Sequence, residues 1–437
     1  MANNGLRRTW LFSALSTVLL LTSSFAAAAE ADHSNNHRSK IVAAYFEEWS
    51  IYGANYNIAD IQTSGAADVL SHVFYAFANV SSTGQCAIAD SWADYQTPYL
   101  PPVNGQPYTG PLYGNFAALL QLKQLHPNLK VLISIGGASA ANTANFAAAA
   151  ATAAGRSELA SSCINTFIAG NLAPGVSAAG LFDGIDLDWE FPTAADKENF
   201  TALVTEFRTQ LNALGANNKE PYLLTIAAPA GSQNYFNIQL AAVSEQLDFL
   251  NVETYDYHGT WATTTNHAAP LLESPLDPAR GQGFYVDGTI SAYLKAGVPA
   301  RKLVLGIPAY GRGWTGVPNT NHGLYQTSSA AAPSPSGDTL ATDGIATYRT
   351  LAALTSQGFT VHHDLRSLAD WLYNPAEATF WTYDDPASVT VKMGYVRFRA
   401  GGLGGAFEWA IKDDDANATL LKTMAKDLSF EPESGSQ

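Results

Sequence analysis

The sequence predicts an α/β protein, a (β/α)8 TIM barrel with a small α+β insertion between its seventh and eighth strands. Three features carry that expectation. Short runs rich in β-branched and aromatic residues occur eight times, stretches of helical periodicity lie between them, and the last interval is far longer than the rest.

The eight runs are residues 41–46, 72–77, 131–135, 182–190, 222–228, 249–255, 303–309 and 404–411. Between them, segments such as 116–125, 199–214 and 290–295 repeat apolar residues three or four positions apart, which gathers them on one helical face. Alternation of this kind builds parallel βα units. Eight such units can close into a barrel with catalytic side chains at the C-terminal ends of its strands. Almost a hundred residues separate the seventh run from the eighth. They include a Pro/Ser/Gly-rich stretch, 331–338, and strand-like runs at 360–363 and 379–383, so they read as a subdomain grafted onto the rim. The loop 81–113, rich in Pro, Tyr and Gly, is expected at the same rim.

Composition narrows the function. Of 437 residues, 14% are charged and 47% hydrophobic, the profile of a large folded globule. A net charge of -15 argues against nucleic acid as a partner, because phosphate binding needs a basic surface. At the N-terminus, Arg7 and Arg8 precede an apolar run over 9–21 and small residues to 29, the layout of a secretory signal. Whether the paired arginines mark twin-arginine export or only a positive n-region stays open. No later run reaches the roughly 20 apolar residues of a membrane span. The expected organisation is a signal over 1–29, a disordered segment over 30–40, the catalytic barrel over 41–311 and 382–425, the insertion over 312–381 and a tail over 426–437. An exported chain can join its two cysteines, Cys86 and Cys163, but spacing leaves the pairing open.

The fourth run, FDGIDLDWE, sets four acids into an apolar strand. Strand side chains alternate, so Asp186, Asp188 and Glu190 share one face while Ile185, Leu187 and Trp189 share the other. In a barrel the apolar set packs under the helices and the acids face the axis, stepping about 6.5–7 Å at a time toward the mouth. Like charges in a partly dry interior raise one another's pKa. The outermost acid, Glu190, thereby becomes a general acid able to protonate a glycosidic oxygen. A calcium loop is excluded by context, since no His cluster is near and Gly184 and Trp189 do not fit its ligand pattern. Asp183 falls off the alternating face and reads as a structural support. The run Asp413-Asp414-Asp415 also lacks a calcium pattern and reads as a solvated turn.

The Asp-x-x-Asp-x-Asp-x-Glu series resembles the signature of family 18 glycoside hydrolases, the chitinases. Further motifs agree: Ser134-Ile135-Gly136-Gly137 at the third strand, Tyr255-Asp256-Tyr257-His258-Gly259 at the sixth, Tyr310-Gly311-Arg312-Gly313-Trp314 after the seventh and Gly404-Gly405-Ala406-Phe407-Glu408-Trp409 at the eighth. The similarity covers residues 40 to 425, and the insertion is similar to that of the bacterial subgroup with an extra α+β domain. The resemblance implies hydrolysis of β-1,4-linked N-acetylglucosamine polymers with retention, the substrate's own acetamido oxygen serving as nucleophile. Glu190 would be acid and then base, Asp188 would orient the acetamido group, and Asp186 would share a proton with Asp188. Tyr255 and Asp256 would hydrogen-bond the strained sugar, and Trp409 would floor it. Tyr45 and Ser134 would support Asp186 from behind. Such chemistry needs no metal and no cofactor, and a secreted monomer acting on chitin and its oligosaccharides, with no membrane partner, is expected.

Flat aromatics suit a sugar groove, because pyranose faces stack on them. Trp49, Trp92, Trp261, Trp314 and Trp381 are candidates, with Trp261 and Trp314 favoured by their places in the motifs. Tyr310, Arg312 and Phe77 are expected to line the cleft. Glu253 departs from the family, which usually has Met there. Alternation turns Glu253 toward the acids, so it should be protonated near neutral pH and shift the basic limb of the rate profile. Two rival readings are a catalytically silent chitin-binding lectin, which typically loses the acid, and a hydrolase of N-glycan chitobiose cores.

Overall fold

The structure, a computed structural model, describes residues 40–429. The expected signal, nearly all of the 30–40 segment and the end of the tail lie outside the described residues. Eight parallel strands form the barrel, with a short antiparallel strand at Cys86–Ile88 added beside the second: β1 (Ile41–Glu47), β2 (His72–Val80), β3 (Lys130–Gly136), β4 (Gly184–Asp188), β5 (Leu223–Ala228), β6 (Phe249–Val252), β7 (Leu303–Pro308) and, after the insertion, the last barrel strand (Gly405–Trp409). Each pairs with its neighbours in chain order, and β1 closes the circle by pairing both with β2 and with Gly405–Trp409. The barrel is closed.

Alternation along each strand sorts its side chains. On β1, Val42, Ala44 and Phe46 point outward into the main apolar core, whereas Ala43 and Tyr45 point inward and meet Phe74, Leu132, Phe249, Val304 and Phe407. The outward layer is covered by helices including α1 (Gly114–Leu125), α2 (Lys197–Asn218) and α3 (Val286–Lys295). Their buried faces carry the residues that gave the helical period, such as Phe200, Leu203, Val204, Phe207 and Leu211 on α2. Two glycines at the rim are required by approach. Gly136 has φ +125° and a side chain on it would run into the Asp188 carbonyl; Gly137, at φ +83°, lies against the Phe77 ring and donates its N–H to that same carbonyl at 2.9 Å.

The insertion is a second, antiparallel sheet. Its main strands are β8 (Tyr310–Thr315), β9 (Thr360–Asp364), β10 (Ala369–Asn374) and β11 (Thr379–Tyr383), in the spatial order β8-β11-β10-β9, with short strands at Ala330–Ala331 and Ile345–Thr347 alongside β8. Arg312 pairs with Thr382 across β8 and β11, so the sheet takes in Tyr310 and Tyr383, just beyond the 312–381 limits read from the sequence. Cross-strand pairing, which no local signal announces, moves those limits. After β11 the chain enters α4 (Pro386–Phe398), capped by Asp385, whose Oδ1 accepts from the amides of Ala387 and Ser388. A final helix, α5 (Thr419–Ser429), extends past the expected end of the barrel at 425. Among the described residues no helix is long and apolar enough to cross a membrane.

Two readings change. The acids after the last strand are no solvated turn: Asp413 and Asp414 are buried. Lys412 Nζ joins Asp413 at 2.8 Å and Glu47 at 2.7 Å, and Asp414 Oδ2 accepts from the amides of Leu420 and Leu421 at the start of α5. These acids are consumed in pinning β1 and α5 together, which a run of three aspartates does not reveal. The cysteine question is answered: Cys86 and Cys163 form a disulfide with a sequence separation of 77. Closing a loop of that size removes unfolded-state entropy worth about 4 kcal/mol. The double variant Cys86→Ser/Cys163→Ser is expected to lower the urea midpoint by a corresponding amount, whereas an unchanged midpoint would show that the cross-link adds no stability.

Candidate active site

The C-terminal ends of the barrel strands converge on a carboxylate column rising from Asp186. Its register is set by the ladders: Asp186 on β4 lies level with Ser134 on β3 and Thr225 on β5. Three hydroxyls therefore donate to one carboxylate, Ser134 to Oδ2 at 2.8 Å, Tyr45 to Oδ2 at 2.9 Å and Thr225 to Oδ1 at 2.6 Å. Asn251 from β6 in turn donates to the Tyr45 oxygen at 3.0 Å. Burial raises the Asp186 pKa, and these donors pull against that rise. Thr225 and Asn251 escaped the sequence reading. The available signal was a polar residue at an inward position of an otherwise apolar strand run.

Two residues on, Asp188 ends β4. It is 2% exposed, and its Oδ1 has no hydrogen-bond partner among the described residues. Burial first, then the Glu190 and Asp186 charges, push its pKa well up. Glu190 lies just past the strand end and is half-buried. Burial and then the Asp256 charge raise it to about 7. Trp189 between them turns outward, stacking on Phe146 at 5.3 Å. Asp183 is off the column, as its parity requires. It accepts the Val131 amide at 2.8 Å and pairs with Lys123 and Lys130, so it ties β4 to β3 and α1.

Opposite stands the sixth strand's extension. Oxygens of Asp188, Glu190 and Glu253 all lie within 4.8 Å of one another. Burial, then Glu190, Asp188, Asp256 and Asp186, push the Glu253 pKa well up. Burial and crowding by like charges thus favour the protonated form of Glu253. Tyr255 is buried beside them, packing edge-on to Tyr310 and Phe407. Asp256 takes φ 54°, which aims its carboxylate at Arg312. The pair is bidentate, Nε to Oδ1 at 2.8 Å and Nη2 to Oδ2 at 2.6 Å. The guanidinium also lies over the rings of Trp261 and Tyr310, 5.4 and 5.3 Å from their centroids. Arg312, expected to reach sugar, is thus largely engaged in orienting Asp256.

The aromatics divide into two groups. Trp409, at the end of the last barrel strand, packs on Tyr45 at 5.1 Å and on Phe77 at 5.8 Å, and Phe77 reaches Trp49 at 6.0 Å. Together they pave one side of the column. Trp261, 63% exposed, bounds the other side in a cleft of about 330 Å³ shared with Glu190, Glu253, Asp256, Tyr257 and Phe284. Trp49 and Trp92 are exposed as well. Trp314 and Trp381 are each 1% exposed and leave no face for a ligand. Trp314 packs in the insertion's own core with Trp371, Tyr373 and Phe380 and donates its indole N–H to the Ala262 carbonyl at 2.9 Å. The expectation of a sugar contact at Trp314 is corrected: it lies on β8, whose pairing with β11 buries it. Glu47 and Glu48, at the end of β1 beside Trp49, are buried too, Glu47 against Lys412.

Chemically the site offers a half-buried acid poised near neutrality, a buried carboxyl with one free oxygen behind it, and an aromatic floor. Residues 41–414 match the glycosyl hydrolases family 18. The chain is 33% identical to Chitinase A1 of Niallia circulans and 35% identical to Chitinase C of Streptomyces lividans, over 89% and 87% of its own length. It spans 58% of the length of each of those two relatives. Among solved structures it resembles the catalytic domain of psychrophilic chitinase B from Arthrobacter TAD20, with a TM-score of 0.82, 34% identity and coverage of 89% of this chain and 95% of that one.

Two variants test the electrostatics. Asp256→Asn removes the like charge that raises the Glu190 pKa and is expected to move the basic limb of kcat/KM to lower pH by about one unit, since a carboxylate with one fewer like charge ionises more easily. Glu253→Gln, which imitates the protonated acid, is expected to leave that limb in place. An acidward shift in Glu253→Gln would show instead that Glu253 carries charge while Glu190 is still protonated.

Proposed function

The chain belongs to glycosyl hydrolases family 18, and from that premise we propose that the protein is a secreted chitinase, hydrolysing β-1,4 linkages of chitin and chitooligosaccharides with retention through an oxazolinium intermediate. The observation that carries this reading is the pairing of Asp188 with Glu190. An oxygen of each lies within 4.8 Å of the other, and Asp188 is buried with an unpartnered Oδ1, so the site supplies an acid and a carboxyl able to hold an acetamido N–H beside it.

Glu190 donates its proton to the glycosidic oxygen, and the C1–O bond breaks as the carbonyl oxygen of the substrate's 2-acetamido group bonds to C1. The buried, unpartnered Oδ1 of Asp188 accepts the acetamido N–H and faces the positive charge that develops on the ring so formed. Asp186, fixed by its three donors, holds Asp188 in a shared-proton arrangement. Once the leaving sugar departs, the Glu190 carboxylate takes a proton from water, whose oxygen bonds to C1 and reopens the ring. Tyr255 and the Arg312-oriented Asp256 border the reacting sugar, Trp409 stacks beneath it, and Trp261 flanks the cleft beyond Glu190. Trp49 and Trp92 extend an apolar surface for further units. The apolar run after Arg7 and Arg8 supports export, and the disulfide fits an oxidising compartment. The acidic charge and the neutral sugar substrate fit a monomer without nucleic-acid or membrane partners.

Because Glu190 must be protonated to start the reaction and its pKa lies at about 7, activity is expected to fall as pH rises through that value. Release of chitobiose from colloidal chitin by the wild type, with a loss of about 10²–10⁴ in kcat and little change in KM for Glu190→Gln, is the expected result. Binding of chitin without product release would identify a lectin. Cleavage confined to N-glycan cores would identify the other hydrolase.

A further inference from the structure

A second cluster of metal-ligating side chains lies away from the column. His363 on β9 pairs across the ladder with Asp370 on β10, and Asp370 lies opposite Tyr383 on β11. Asp385 follows Tyr383 by two residues, at the N-cap of α4. Three neighbouring strands thus bring one imidazole and two carboxylates to the same end of the insertion sheet. A ligand atom of each of the three lies within 4.8 Å of the other two. Tetrahedral zinc, with bonds of about 2.0–2.2 Å, holds its ligands roughly 3.3 Å apart, so small side-chain rotations suffice to meet one ion.

Asp370 supplies an independent observation. It is 4% exposed, its Oδ1 accepts from His363 Nδ1 at 2.6 Å, and its Oδ2 has no hydrogen-bond partner among the described residues. A carboxylate oxygen left bare in the interior is costly, and nature seldom leaves one so. Asp385 cannot swing away to relieve the crowding, because its Oδ1 is committed to the Ala387 and Ser388 amides. Two carboxylates thus crowd a single imidazole, and burial and then the contact with Asp385 push the Asp370 pKa up to about 7. His363, half-exposed, leaves an entry path from solvent.

We propose that His363, Asp370 and Asp385 form a zinc site that fastens the β9–β10 hairpin to the start of α4. One nitrogen and two oxygen ligands suit zinc, with water completing the tetrahedron. None of the three lines the cleft around Glu190, so the ion's role is to brace the insertion rather than to take part in the chemistry.

The test uses the whole chain, free of any affinity tag and stripped with EDTA, titrated with zinc chloride by calorimetry and by thermal unfolding. One ion per chain is expected to bind, raising Tm by about 3 °C at a hundredfold excess over its Kd. Chitooligosaccharide should not displace it. His363→Gln alters a half-exposed side chain and should fold normally, and Asp370→Asn keeps the shape of the buried one. Each is expected to weaken zinc binding at least about tenfold. Absence of saturable binding by the wild-type chain would overturn the proposal. So would zinc binding unchanged in His363→Gln, or displaced by oligosaccharide, either of which would put the ion on other residues such as Asp188, Glu190 and Glu253.

Discussion

Everything at the mouth of the barrel depends on how Asp186 is satisfied inside it. A carboxyl buried on the axis is tolerable only with donors around it, and hydroxyls from β1, β3 and β5 converge on its two oxygens. Those donors stand level because parallel pairing fixes the register of each strand against the next, and closure brings β1 round to meet them. A slip of one residue in any of these ladders would turn the donors outward and strand the charge. Site and fold share one constraint: the network that satisfies Asp186, two residues below Asp188, also penalises misaligned barrels.

Above that base the site is an exercise in holding protons where charge would be costly. Asp188, Glu190 and Glu253 crowd one another, and burial together with the neighbouring charges raises the pKa of each. Glu190, the most open of them, has its pKa raised to about 7, which suits the proposed role of giving up a proton and later taking one back. Arg312 contributes from outside. By gripping Asp256 with both ends of its fork and lying over Trp261 and Tyr310, it fixes the wall opposite the Trp409 floor. Since Arg312 and Tyr310 sit on β8, the insertion is part of the site's construction as well as a rim on its cleft.

Much of this was legible in the chain. The two-residue alternation of FDGIDLDWE sorted Asp186, Asp188 and Glu190 from Ile185, Leu187 and Trp189, because strand geometry is local and needs no knowledge of neighbours. The eight strand runs, and the position of the insertion, followed from the same local periodicities, and the inward face of Glu253 from its parity with Tyr255. Sequence also supplied the motifs by which the family is recognised.

Tertiary structure decided what depends on pairing between distant segments. It brought Thr225 and Asn251 to the Asp186 network, joined Cys86 to Cys163, turned Arg312 toward Asp256, buried Trp314 and Trp381 within the insertion, and consumed Asp413 and Asp414 beneath α5. The division has a physical reason. Which face a side chain takes is set by the dihedral repeat of its own strand, whereas what it touches there is set by ladders and packing between residues tens to hundreds of positions apart, and no short stretch of sequence encodes both partners.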